Sequence, residues 1–147
     1  MSESILTNRN GIIVEKGTWT PVATKVLSFH TAPTYTVVQS NAVYYRIGKL
    51  CYISCWYSIN ITNAGNSSIC IEGIPYMSVD STTSRSQVFA GNCMNVTSGT
   101  RYGTARIVDN YNKVVVLKHD YEDNQPYTTG TLLISFSGFY VINSSYY

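Results

Sequence analysis

Asp120, Glu122 and Asp123 are the densest group of carboxylates in the 147-residue chain. Paired carboxylates are what glycoside hydrolysis requires, one as acid and one as nucleophile or base. On an extended backbone Asp120 and Glu122 share a face. Nothing in the surrounding sequence builds a pocket that would drive their pKa values apart. The group therefore reads as a solvated loop. The same oxygens, with Asn124 and Gln125, have the chemistry of a calcium site, but the D-x-D-x-D-G spacing of a calcium loop is absent. His30 and His119 are isolated, and no nucleophile elbow surrounds a serine. The cysteines stand at positions 51, 55, 70 and 93 with no CxxC pair, so a zinc site is not expected. Cys51 and Cys55 share one strand face but are too far apart to bond each other. Cys51, Cys55, Cys70 and Cys93 read as small buried hydrophobes rather than as a disulfide framework, although a bridge from Cys51 or Cys55 to Cys70 stays open. No catalytic residue, metal or cofactor is expected, and the chain does not read as an enzyme.

The aromatic residues point to binding. Tyr102, Tyr111, Tyr121 and Tyr127 lie in or beside turns that also carry Arg101, Asp109, Asn110, Asn112, Asp120 and Asn124. Rings that pack while keeping a polar tip wet suit the apolar face of a sugar, and the neighbouring amides and acids suit its hydroxyls. Tyr, Ser and Asn on loops over a rigid scaffold also make an adaptable binding surface. These ten residues are the candidate ligand-binding set. The plainer reading is that individual tyrosines cover the core or pack between subunits.

Such loops need a rigid framework, and the composition favours strands. Charged residues make up 12% of the chain and tyrosine occurs 13 times. Val, Ile, Thr and Tyr suit pleated, half-buried surfaces. No stretch carries a helical stripe. The clearest strand runs from Lys49 to Thr62. Cys51, Ile53, Cys55, Tyr57, Ile59 and Ile61 fall on one face, with Tyr52, Ser54, Trp56, Ser58 and Asn60 on the other. Ile47-Gly48-Lys49 opens it as a hairpin turn, and Asn63-Ala64-Gly65-Asn66 closes it. Further strands are expected over 34–38, 42–47, 68–71, 87–93, 103–108, 113–118 and 131–142. The last puts Leu132, Ile134, Phe136, Gly138, Tyr140 and Ile142 on one face, with Gly138 as a bulge or close-approach point. Segment 77–86 reads as a longer connection, 109–112 as a tight turn and 119–127 as a polar loop.

Strands at this spacing predict an all-β fold, an antiparallel β-sandwich of jelly-roll-like form. Residues 1–16 read as an N-terminal lead-in or stalk remnant, and 17–147 as the sandwich domain. The net charge of +2 is scattered, which disfavours a nucleic-acid partner. No apolar run approaches a membrane span. The N-terminus lacks a secretory signal, which fits a protein held in the cytosol until released, or a piece cut from a longer chain. Tyr52, Trp56 and Tyr44 or Tyr45 fall on a polar-looking strand face, where exposed rings make a subunit contact or a ligand platform.

Four phrases then carry a resemblance. They are Gly17-Thr18-Trp19-Thr20-Pro21, Tyr44-Tyr45-Arg46-Ile47-Gly48 running on to Ile53, Ile71-Glu72-Gly73-Ile74-Pro75-Tyr76, and Leu133 through Tyr140. Together the sequence resembles the C-terminal domain of phage and prophage tail-fibre and baseplate proteins, over about Gly17 to Ile142. Arg46 stands where that family usually has Lys, Ile74 where it has Leu and Tyr76 where it has Phe. The resemblance implies a homotrimeric tip on the rest of a tail fibre, assembled in the host cytoplasm and carried on the virion. It implies adhesion to a bacterial surface carbohydrate or protein receptor, and it carries over no binding residues. Two other readings remain: a purely structural trimerisation domain, and a glycan-degrading depolymerase.

Overall fold

The computed structural model describes residues 4–7, 11–25, 29–66, 69–78, 86–96, 101–102, 105–108, 113–116 and 129–143. The strands are β1 (Ser4–Thr7), β2 (Ile13–Thr18), β3 (Val22–Lys25), β4 (Thr34–Ile47), β5 (Leu50–Asn63), β6 (Ile69–Glu72), β7 (Ser86–Asn95), β8 (Arg101–Tyr102), β9 (Ala105–Val108), β10 (Lys113–Val116) and β11 (Gly130–Val141). Among the described residues there is no helix, and every strand pairing is antiparallel. The protein is all-β.

Alternation builds the centre of the molecule. Cys51, Ile53, Cys55, Tyr57, Ile59 and Ile61 of β5 are each at most 2% exposed. Leu132, Ile134, Phe136 and Tyr140 of β11 are also buried, as a strand with one face on a core requires. Burying one isoleucine of this set contributes about 1.5–3 kcal/mol. β11 pairs with β5 along the whole length of β11, Leu50 opposite Val141 through Ile61 opposite Gly130. The other edge of β5 carries β4. The β4–β5 turn is Gly48-Lys49, with Ile47 opposite Leu50. Gly48 has φ 58°, a left-handed conformation that glycine takes without steric cost.

The strand order is β1-β2-β4-β5-β11-β7-β9-β10-β6-β3, with β8 on the side of β7. β7 joins two sheets. Its residues Ala90–Asn95 pair with β11, and Ser86–Phe89 pair with β9. Small residues, Ala90 and Gly91, stand at the handover. The two sheets share one core, in which Ile53, Ile59 and Phe136 of the first cluster with Ala23, Ile69, Ile71 and Ile107 of the second. β3 is an edge strand, which suits Pro21 at its entrance.

Four features differ from the sequence reading in detail. Segments 34–38 and 42–47 form one strand, because β4 absorbs the intervening polar run through register shifts at Thr34/Tyr35 and Val37/Gln39. Gly138 is not a bulge: it sits in unbroken register opposite Ile53. β8 is only two residues long, too short to leave a periodic signal. Residues 4–7 and 13–16 lie in β1 and β2, which extend the first sheet beyond β4.

Candidate functional site

The sequence-predicted binding set is only partly placed. Arg101 and Tyr102 form β8, opposite Met94 and Cys93 of β7. Asp109, Asn110, Tyr111 and Asn112 fall in the segment between β9 and β10. Asp120, Tyr121, Asn124 and Tyr127 fall in the segment between β10 and β11. All eight lie outside the described residues, as do His119, Glu122 and Asp123. Among the described residues, no three His, Cys, Asp or Glu side chains gather as metal ligands.

A different cluster is built in full, where the four phrases that carry the resemblance meet. Glu15 on β2 lies opposite Arg46 on β4, and both are buried, at 8% and 4% exposed. The Tyr44 hydroxyl donates to Glu15 Oε1 at 2.5 Å, and the Tyr76 hydroxyl donates to the same oxygen at 2.6 Å. Arg46 Nε donates to the Gly48 carbonyl at 2.9 Å. Its guanidinium lies 4.7 Å from the centre of the Tyr76 ring, a cation–π contact. The Tyr140 hydroxyl donates to the Tyr76 carbonyl at 2.8 Å and accepts from the Tyr76 amide at 3.3 Å. Trp19 closes the side. Its indole N–H donates to the Val43 carbonyl at 3.1 Å, and its ring is 6.3 Å from Phe136. Buried charges and hydroxyls are tolerated only with such partners. Burial and the bond to Glu15 raise the Tyr76 pKa.

This joint borders a cavity of about 450 Å³, lined by Glu15, Thr18, Trp19, Thr20, Tyr44 and the 73–76 segment. Glu15, Trp19, Tyr44 and Ile74 make a buried floor, while Thr18, Thr20 and Gly73 are exposed at the rim. Gly73 is at φ 101°, and a Cβ there would collide with the Thr20 carbonyl oxygen. That close approach ties the strand end after β6 to the segment between β2 and β3.

A second surface lies on the outer face of the same strands. Tyr45, Tyr52 and Phe139 stand side by side on β4, β5 and β11, with ring centres 6.3 Å and 5.2 Å apart. Ile47 and Leu50 lie one pleat further along. Tyr45, Ile47, Leu50 and Phe139 are exposed, Phe139 by 61%. These five residues line a depression of about 440 Å³ formed by apolar atoms only. Beyond it, Trp56 is 45% exposed, opposite Asn41 and Ser135. Of the tyrosines expected on this face, Tyr45 and Tyr52 are there, and Tyr44 is turned inward.

Cys51, Cys55 and Cys70, the cysteines whose side chains are described, are buried thiols. Burial pushes the Cys51 thiol up to about 11 and the Cys55 thiol up to about 12, and a buried thiol of raised pKa is inert. The buried Tyr57 hydroxyl completes no hydrogen bond of good geometry, and the Tyr35 hydroxyl beside it accepts from the Ala23 amide.

Sequence reasoning missed Glu15 and Tyr76 as a pair. They are 61 positions apart, and no local spacing announces the contact. The one signal was the nearness of the four phrases in type: each brings an aromatic residue beside glycine or proline. Comparison of the chain with models of known families, with curated proteins and with solved structures gives no match.

Proposed function

We propose that this protein is the adhesive tip domain of a bacteriophage tail fibre, a homotrimer that engages a bacterial surface glycan or protein. The observation that carries the reading is the apolar outer face of β4, β5 and β11 at Tyr45, Ile47, Leu50, Tyr52 and Phe139. An exposed apolar patch on a stable sheet is characteristic of a surface that another molecule covers. In this reading the covering molecule is a second copy of the chain. The resemblance of the four phrases to tail-fibre C-terminal domains supports it. So does the low charge, which suits recognition by rings and amides. A jelly-roll-like sandwich is the corresponding architecture, with β7 passing between sheets as a corner strand. Affinity would come from several weak sites acting together.

The test is retention on bacterial cells and on purified surface polysaccharides. Specific, saturable retention that competing polysaccharide removes supports the reading. Absence of retention across a broad bacterial panel, for protein shown to be folded, contradicts it and favours the purely structural fibre domain. Release of reducing ends from the polysaccharide would favour the depolymerase.

A further inference from the structure

We infer that the cavity beside Glu15 is a binding site for a neutral, hydroxyl-rich ligand, namely one hexose unit of a glycan. Both tyrosine hydroxyls donate to Glu15 Oε1. Glu15 also lines the cavity, and a carboxylate has acceptor capacity for more than two donors, so it can take a ligand hydroxyl in a charge-assisted bond of the stronger kind. Arg46 lies in register with Glu15 and is held on the Tyr76 ring, so the joint already carries a cation of its own chain. A site with one cation built in favours a neutral ligand over a second cation. The cavity volume of about 450 Å³ lies toward the small end of the range of pockets that hold small molecules, about 300–1,000 Å³. Its lining has the two halves that a sugar ring needs. Trp19, Tyr44 and Tyr76 supply aromatic surface for C–H groups, and Glu15, Thr18 and Thr20 supply hydrogen-bonding oxygens. The buried floor and the close approach at Gly73 hold these groups before any ligand arrives, which lowers the ordering cost of binding.

The choice of a glycan as the source of those hydroxyls rests on the adhesive reading; the acceptor geometry does not. The test is a titration of the whole protein with neutral hexoses, N-acetylhexosamines and hexuronates, one at a time. It is followed by the NMR signals of the Trp19 indole and Tyr76 amide, and by calorimetry. At least one neutral sugar is expected to shift both signals, and its uronate to bind at least tenfold more weakly. Glu15→Gln keeps an oxygen for the two tyrosines but replaces the other carboxylate oxygen with an amide donor, and is expected to weaken binding tenfold or more. Thr20→Trp places a bulky ring at the exposed rim without touching the Glu15 bonds, and is expected to abolish binding even if Glu15→Gln fails to fold. The inference is overturned if no sugar at millimolar concentration moves either signal, or if either folded variant binds like the wild type. Cell retention separates the two proposals. Wild-type retention that both folded variants preserve would end the cavity inference and leave adhesion standing. Sugar binding in the cavity without retention on any cell would do the reverse.

Discussion

Tyr44 and Tyr45 are neighbours in β4 and meet opposite surroundings. Tyr44 is 2% exposed and bonds a buried carboxylate, whereas Tyr45 is 50% exposed beside two other rings. The contrast extends across that end of the sheet. Glu15 and Arg46 point inward; Tyr45, Ile47, Leu50 and Phe139 point outward. Ordinary patterning is the reverse, with apolar residues inside and charges in water. Inverting it has a cost on both faces: the inner charges must be desolvated and the outer rings stay wet. The two faces teach different things. In the inner joint the hydroxyls of Tyr44, Tyr76 and Tyr140 all find acceptors within one chain. The outer face leaves Tyr45, Ile47, Leu50 and Phe139 exposed in the single chain, which is the observation behind the proposed trimer.

The largest expected effect lies at the joint's backbone. Gly73→Ala brings a Cβ onto the Thr20 carbonyl at φ 101°. It should cost at least about 3 kcal/mol, through strain and steric overlap. Gly11, at φ 75° with nothing within 4 Å of a Cβ, is the control, and Gly11→Ala should cost only about 1 kcal/mol. Denaturant unfolding of both variants makes the measurement. Equal losses would mean that the 73–76 segment does not close tightly on Thr20.

Removing the joint's acceptor comes next. Glu15→Ala leaves the buried Tyr44 hydroxyl without its partner and should cost about 2–3 kcal/mol. Pairing it with Tyr44→Phe should recover part of that loss, because removing both partners is milder than orphaning one. A double-mutant cycle with no coupling would break the comparison between the faces.

Alkaline pH probes the buried thiols. Burial pushes the native thiols of Cys51 and Cys55 up to about 11 and about 12, against an ordinary value of 9.0. The unfolded chain therefore releases these protons first, so their contribution to stability is complete below about pH 9. It should decline as pH rises from about 9 through 11 to 12, while stability between pH 7 and 8.5 should be flat with respect to these groups. Chemical denaturation across that range, repeated on Cys55→Ala, reads the effect as a smaller slope in the variant.

The smallest effect is expected at Tyr57. Its buried hydroxyl completes no hydrogen bond of good geometry, and Tyr35 beside it already accepts from Ala23, so Tyr57→Phe should be neutral or stabilising by up to about 1 kcal/mol. A clear destabilisation would show that the hydroxyl has a bonding role.

β5 and the inward face of β11 were legible from sequence, because a period of two writes burial directly into residues such as Ile53, Ile59 and Leu132. So were the turns at Gly48 and Gly65, where glycine marks left-handed backbone. Glu15 was not legible as a buried group. It sits in a short polar stretch, and what buries it is Tyr76, 61 positions away. The single span of β4 was hidden because a bulge can carry a strand through residues such as Gln39 and Asn41 that break its alternation. The outward apolar set was visible only in part. Tyr52 and Trp56 stood out, whereas Ile47, Leu50 and Phe139 join them only through the register of three strands.

Sedimentation equilibrium of the wild type and of Phe139→Ser is the most direct test of a self-covered outer face. Phe139 is exposed, so the variant should fold with a stability within about 1 kcal/mol of the wild type. The wild type should sediment as a trimer at micromolar concentration, and the variant as a monomer. A wild type that stays monomeric at every concentration, or a variant that remains fully trimeric, would contradict the assignment of this face to a second copy of the chain.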